Sequence, residues 1–203
     1  MNILDYLQLC IDIETRARYD NAIITRMAIT PFRFTEDVGI SFQDLLDRTL
    51  YISLDQDEQA SLGRVSDERT EKWWSEQDED LRIESYYPTN NDLKINDAFT
   101  EIKRFISSWN YNHYHSHLWA RNAHFEWGKI ASLNDLILNH PDDKHVLNNW
   151  KWMECRTYNY ILTGAETEKY DVTNIASGFV AHRANHDSAA DAFRMLKLYE
   201  QII

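Results

Sequence analysis

The sequence predicts an α/β protein: a mixed five-stranded sheet flanked by helices. Two observations carry that expectation. Three strand-like segments come first, close enough in sequence to pair antiparallel, and helix and strand alternate after them. The chain also has 5 Gly and 3 Pro in 203 residues, too few for a loop-dominated or low-complexity protein.

Residues 5–14, "DYLQLCIDIE", alternate strictly. Leu7, Leu9, Ile11 and Ile13 take one face and Gln8, Cys10, Asp12 and Glu14 the other, which is the period of a strand. "AIITRMAITPF" (22–32) and "RTLYISLD" (48–55) read as the second and third strands, with the turn-like "RARYDN" joining the first two. The polar stretch 56–92 contains a helical run, "SDERTEKWWSEQ", with Ser66 or Asp67 as its N-cap. A helix beginning at Asn96 or Asp97 puts Phe99, Ile102, Phe105, Ile106 and Trp109 on one side. "HLWAR" (117–121) is the fourth strand, and a helix from about Phe125 to Leu138 follows. "HPDD" (140–143) breaks the chain. A fifth strand near Trp150–Met153, another helix, and a last helix from about Asp187 complete the order. No internal repeat or linker interrupts it, so residues 1–203 read as one domain.

The formal charge of −12 excludes wholesale coating of nucleic acid by a basic surface, but not a local grip on phosphate through bound cations. Cys10 and Cys155 read as small core residues without a disulfide framework. No signal peptide or membrane-spanning run is apparent, which points to a cytoplasmic protein.

Carboxylates in line with apolar stripes are the chemical signal. Asp12 and Glu14, two apart on a strand, point the same way about 6.5–7 Å apart. Glu126 heads the stripe Ile130, Leu133, Ile137, and Asp191 heads Met195, Leu198, Ile202 at the same spacing. Four acids from three elements could converge on divalent cations. His186 stands five residues before Asp191. It can lean over that helix's first turn only from the preceding loop, where it could take a proton near neutral pH. His182 and Asp187 share the same spacing.

"DIET" (12–15), "NAHFEWGKIASL" (122–133) and "HDSAAD" (186–191), in this order and separation, together with the paired tryptophans of "TEKWWSEQ" (70–77), resemble the three motifs of the DEDD superfamily of 3′-5′ exonucleases, histidine subclass. The likeness is strongest to the phage exonuclease A group and related bacterial exoribonucleases, and spans nearly the whole chain. It implies a ribonuclease H-like fold and hydrolysis of single-stranded DNA or RNA from its 3′ end to nucleoside 5′-monophosphates. It further implies two Mg²⁺ or Mn²⁺ ions on Asp12, Glu14, Asp191 and Glu126, with His186 as general base. Glu126 stands where the family usually has Asp. Thr15, Asn122 and Phe125, with Trp73 and Trp74, are implied along the substrate groove. The resemblance leaves room for a homodimer and gives no reason for a membrane partner. Two other readings stay open: a binding protein that has lost catalysis at Glu126, and a zinc site on His113, His115 and His117 if residues 113–119 are strand.

Overall fold

The computed structural model describes residues 3–137, 146–147, 151–164 and 176–203. Five strands form one sheet: β1 (Gln8–Thr15), β2 (Ile24–Phe32), β3 (Leu50–Ser53), β4 (His117–Ala120) and β5 (Trp152–Glu154), in the order β3-β2-β1-β4-β5. The first three pair antiparallel, while β4 and β5 run parallel to β1. The mixed sheet expected from the sequence is therefore present. β1 is its centre, antiparallel to one neighbour and parallel to the other. The β1–β2 register slips between Glu14 and Thr15, where Thr15 pairs with Ile24 and leaves Thr25 unmatched. Such irregularities bend a strand and re-aim its side chains.

Among the described residues, eight helices surround the sheet: α1 (Phe42–Asp47), α2 (Gln56–Ser61), α3 (Glu68–Ser75), α4 (Glu79–Ser85), α5 (Ile95–Ser108), α6 (Ala123–Asp135), α7 (Cys155–Thr163) and α8 (Ala184–Glu200). The long helices fall where apolar periodicity places them, shifted by a few residues at their ends. α1, α2 and α4, of 6, 6 and 7 residues, do not follow from the sequence pattern, because two turns are too short to display a period. Local chemistry starts two of them instead: Ser41 caps α1 through the Asp44 amide, and Asp55 caps α2 through that of Glu58. The expected break at 140–143 lies outside the described residues, as does Trp150 at the start of the expected fifth strand.

Both faces of β1 are covered. Leu7, Leu9, Ile11 and Ile13 pack with Phe99 and Ile102 of α5 and Ile130 and Leu133 of α6. Cys10, on the opposite face, packs with Ala189, Ala190 and Met195 of α8. The alternation of β1 thus separates two cores rather than core from solvent. α8 is buried around almost its whole circumference, and the unexposed Ala189, Ala190 and Ala192 let its axis lie close to the sheet. No helix among the described residues is long and apolar enough to cross a membrane.

The histidine trio does not form. Residues 113–115 are a turn, where His113 meets Tyr111 edge-on and His115 stacks on Tyr6. Of the three, His117 alone is in β4. The missing strand removes the shared face that a zinc site would need.

Candidate active site

β1 ends its buried run with Asp12 and Glu14 on the face that looks toward α8. The first turn of α8 comes down on them. Carboxylate oxygens of Asp12, Glu14 and Asp187 all lie within 4.8 Å of one another. Three acids this close, in a partly dehydrated place, resist ionisation. Burial and the neighbouring Asp187 push Asp12 well above the ordinary carboxylate range. Glu14 is raised by burial, Asp187 and Glu126, against the opposing pull of Arg26, its partner across the β1–β2 ladder. Asp187 is raised to about 7 by burial and by Asp191.

Asp187, not Asp191, is therefore the acid that joins Asp12 and Glu14. The two acids of α8 are one helical turn apart, about 6 Å along the axis, and face the sheet together. Two residues of β1 advance about 6.6 Å. The helix and the strand consequently run in step: Asp187 meets Asp12, and Asp191, one turn deeper, meets Cys10. An Asp191 carboxylate oxygen lies within 4.8 Å of the Cys10 and Cys155 sulfurs. Its Oδ1 accepts from Arg194 at 2.7 Å and Arg121 at 2.9 Å. Asp191 is 3% exposed and neutralised by two guanidiniums. Burial raises both thiols, which keeps them protonated.

The histidines exchange places in the same way. His186 lies inside the first turn of α8, not in the loop before it. Its Nδ1 accepts from the Val180 amide at 3.2 Å, and its ring packs between Phe42 and Phe179. That pose closes residues 180–186 into a compact loop and commits Nδ1 to the Val180 amide. His182 instead sits on the loop in a left-handed conformation, φ 63°, uncommon for a residue with a side chain. Its amide donates to Asp187 Oδ2 at 2.7 Å, which fixes the loop against the acidic trio. Its ring meets Trp73 edge-on at 4.8 Å. Partial burial and the charge of Arg121 lower its pKa below 6.5.

Glu126 occupies the first turn of α6, 5% exposed, with Oε2 lacking a hydrogen-bond partner among the described residues. Burial first, then Asp191, raises it to about 8. It bears on Asp12 and Glu14 electrostatically but stands outside the tight trio. A buried carboxylate oxygen with no donor, beside three mutually repelling acids, fits an arrangement that binds divalent cations.

Beside the acids opens a cleft of about 300 Å³, lined by Glu14, Thr15, Trp73, Phe125 and His182 and by Arg18, Arg69 and Thr70. Four of the five residues expected along the groove reach it: Thr15, Trp73, Trp74 and Phe125. The tryptophans differ in kind. Trp74 is 1% exposed and donates from Nε1 to the Thr15 carbonyl, so it is a wall. Trp73 is 37% exposed and presents a ring. Asn122 is not among the lining residues. It is the N-cap of α6, and its carbonyl accepts the Phe125 and Glu126 amides. Beneath the cleft lies a fully buried cation, Lys129. Its ammonium rests 3.2 Å from the Phe125 ring centroid and donates to the Arg18 carbonyl at 3.1 Å.

Strand order, helices on both faces and an acidic cleft at the end of the central strand define the class: a ribonuclease H-like nuclease domain. Over 94% of this chain and 92% of its own, the nuclease domain of 3′hExo, a DEDDh family member solved with rAMP, superposes with a TM-score of 0.62 at 11% identity. Cell-death related nuclease 4 gives 0.55 over 98% of this chain and 64% of its own, also at 11% identity. In sequence, the chain is 26% identical over 196 residues to the exodeoxyribonuclease of Enterobacteria phage T4, covering 91% of this chain and 86% of that one. Residues 7–203 match the Rv2179c-like 3′-5′ exoribonuclease domain, and the chain belongs to that family; it is a 3′-5′ exonuclease.

Proposed function

We propose that the chain hydrolyses the terminal phosphodiester of single-stranded DNA or RNA, releasing nucleoside 5′-monophosphates. The observation that carries this reading is the Asp12, Glu14 and Asp187 oxygen cluster, beside an aromatic cleft that Glu14 and His182 line. Asp12, Glu14 and Asp187 would hold divalent cations, Mg²⁺ or Mn²⁺, with Glu126 in support. Bound there, the cations supply positive charge that offsets the phosphate and favours ionisation of water. His182, neutral near pH 7, takes the proton of the attacking water at its ring nitrogen. The water oxygen bonds to phosphorus, and the 3′-oxygen of the preceding nucleotide leaves. Trp73 and Phe125 stack the terminal base, which tolerates any base because each has a π-face. The matched family is described as exoribonucleolytic and the phage relative as an exodeoxyribonuclease, so both sugars belong in the test.

End-labelled single strands of each sugar, incubated with Mg²⁺, Mn²⁺ or chelator, test the activity. Loss of the 3′ label first, only with divalent cation, is the expected result. Asp187→Asn and His182→Ala should abolish most turnover. Full activity in both, with loss in Asp191→Asn and His186→Ala at intact fold, would sink the assignment.

A further inference from the structure

Resting on that reading, we propose that Arg18 and Arg69 grip the backbone phosphates of the strand just inward of the terminal nucleotide. What both guanidiniums lack is a side-chain partner among the described residues. The chain carries 33 acidic residues against 21 basic ones, so a surface arginine has acidic partners in surplus. Arg16, Arg33, Arg48, Arg104 and Arg183 each pair with a carboxylate. Neither Arg18 nor Arg69 makes a side-chain hydrogen bond or ion pair with any described residue, and both line the cleft.

Their backbones, by contrast, are fixed. The Arg18 amide donates to Asp67 Oδ2 at 3.1 Å and its carbonyl accepts from the buried Lys129. The same Asp67 caps α3, accepting from the Thr70 amide at 2.8 Å and the Thr70 hydroxyl at 2.9 Å. The Asp67 amide in turn donates to the Arg16 carbonyl. One carboxylate therefore sets the spacing between the segment carrying Arg18 and the helix carrying Arg69. A rigid base with a free charged tip is a binding arrangement, because little order is left to impose when a ligand arrives.

The ligand chemistry follows from position. Both arginines are exposed, in the lining of a cleft that also carries the Trp73 and Phe125 rings and the Glu14 carboxylate. Recognition of a base edge needs a guanidinium held in the plane of the base, inside the pocket. An exposed guanidinium suits the charged oxygens of a backbone phosphate. The polarity also orients the strand: the scissile phosphate goes to the carboxylate end, where cations neutralise it, and the next phosphates go to the arginines.

The test compares full-length wild type with Arg18→Gln, Arg69→Gln and the double variant. Lys103→Gln, on the exposed face of α5, is the control for an equal charge change elsewhere. Anisotropy of a fluorescein-labelled single-stranded dodecamer is titrated in chelator from low to physiological salt, and hydrolysis of the dodecamer and of a dinucleotide lacking a 5′-phosphate is followed with Mg²⁺. Each arginine variant should flatten the log affinity against log salt slope by about 0.7, the value per phosphate for single strands. It should raise KM for the dodecamer about 3–10-fold with kcat kept. The dinucleotide, with no inward phosphate, should be unaffected, and Lys103→Gln should match wild type in every assay. Variants that keep the wild-type slope and KM would overturn the grip. So would a loss that depends on the terminal base, which would make the arginines readers of a base edge. If wild type hydrolyses neither substrate, the proposed function fails instead, and the chelator titration still decides the grip.

Discussion

At the scale of single residues, the two acids of α8 have opposite expected behaviours. Asp187→Asn removes a charge from a repelling trio, so turnover should fall by about 10²-fold or more while thermal stability in chelator holds or rises. Asp191→Asn strips a charge from Arg194, which is 4% exposed. Breaking a buried pair costs about 3–5 kcal/mol, so the melting temperature should drop by more than about 6 °C. Differential scanning calorimetry beside a turnover assay separates the two. The histidines divide likewise: His182→Ala should lower kcat by about 10²–10⁴-fold, and His186→Ala should act chiefly through the loop that its Nδ1 closes. Glu126→Gln should sharply reduce turnover at nearly constant shape if its unpaired oxygen supports the cations, and wild-type turnover would remove it from the site.

At the scale of elements, α3 does two jobs with adjacent tryptophans. Trp73→Ala should weaken strand binding by about 1–3 kcal/mol, the worth of a base-stacking ring, and leave the fold unchanged. Trp74→Ala should cost about 3–5 kcal/mol of stability, as large-to-alanine changes in a core do. Chemical denaturation and a KM measurement tell them apart. Here the limits of the sequence become physical. β1, the long helices and the mixed sheet were legible because each repeats a period long enough to detect. The Asp12 and Glu14 pairing was legible because a strand allows one arrangement of residues two apart. The choice between Asp187 and Asp191 was not, because a helix shows i and i+4 on one face and the sequence does not say which turn reaches the end of β1. His182 and Asp187 carried the same spacing as His186 and Asp191. Their distinguishing mark, the left-handed backbone at residue 182, has no glycine to announce it. The unpaired state of Arg18 and Arg69 depends on tertiary neighbours and had no local signal at all.

At the scale of the whole molecule, the acids make stability depend on pH and cations together. Asp187 near 7 and Glu126 near 8 hold protons in the folded chain that the unfolded chain releases near pH 4. Between about pH 4 and 8 the folded state therefore binds more protons, and stability should fall as pH rises through that window. Melting curves in chelator should shift to lower temperature from about pH 5 to pH 8. A divalent cation, which favours the ionised carboxylates, should shrink or reverse the shift. A melting temperature in chelator that rises over this window would show that the acids are ionised without help.

Lys129 turns the same architecture into a clock. Burial lowers its amine to about 8, so near that pH roughly half of it is an unprotonated nucleophile. Its full burial under the Arg18 carbonyl and the Phe125 ring screens it from reagents while the cleft floor is closed. Acylation at this position should therefore scale with the fraction of time that the β1–β2 connection is lifted from α6. Exposed lysines such as Lys103 acylate in the first moments. Mass spectrometry of the peptide containing residue 129, over time and with or without an oligonucleotide in the cleft, would read that breathing directly on the unmodified chain.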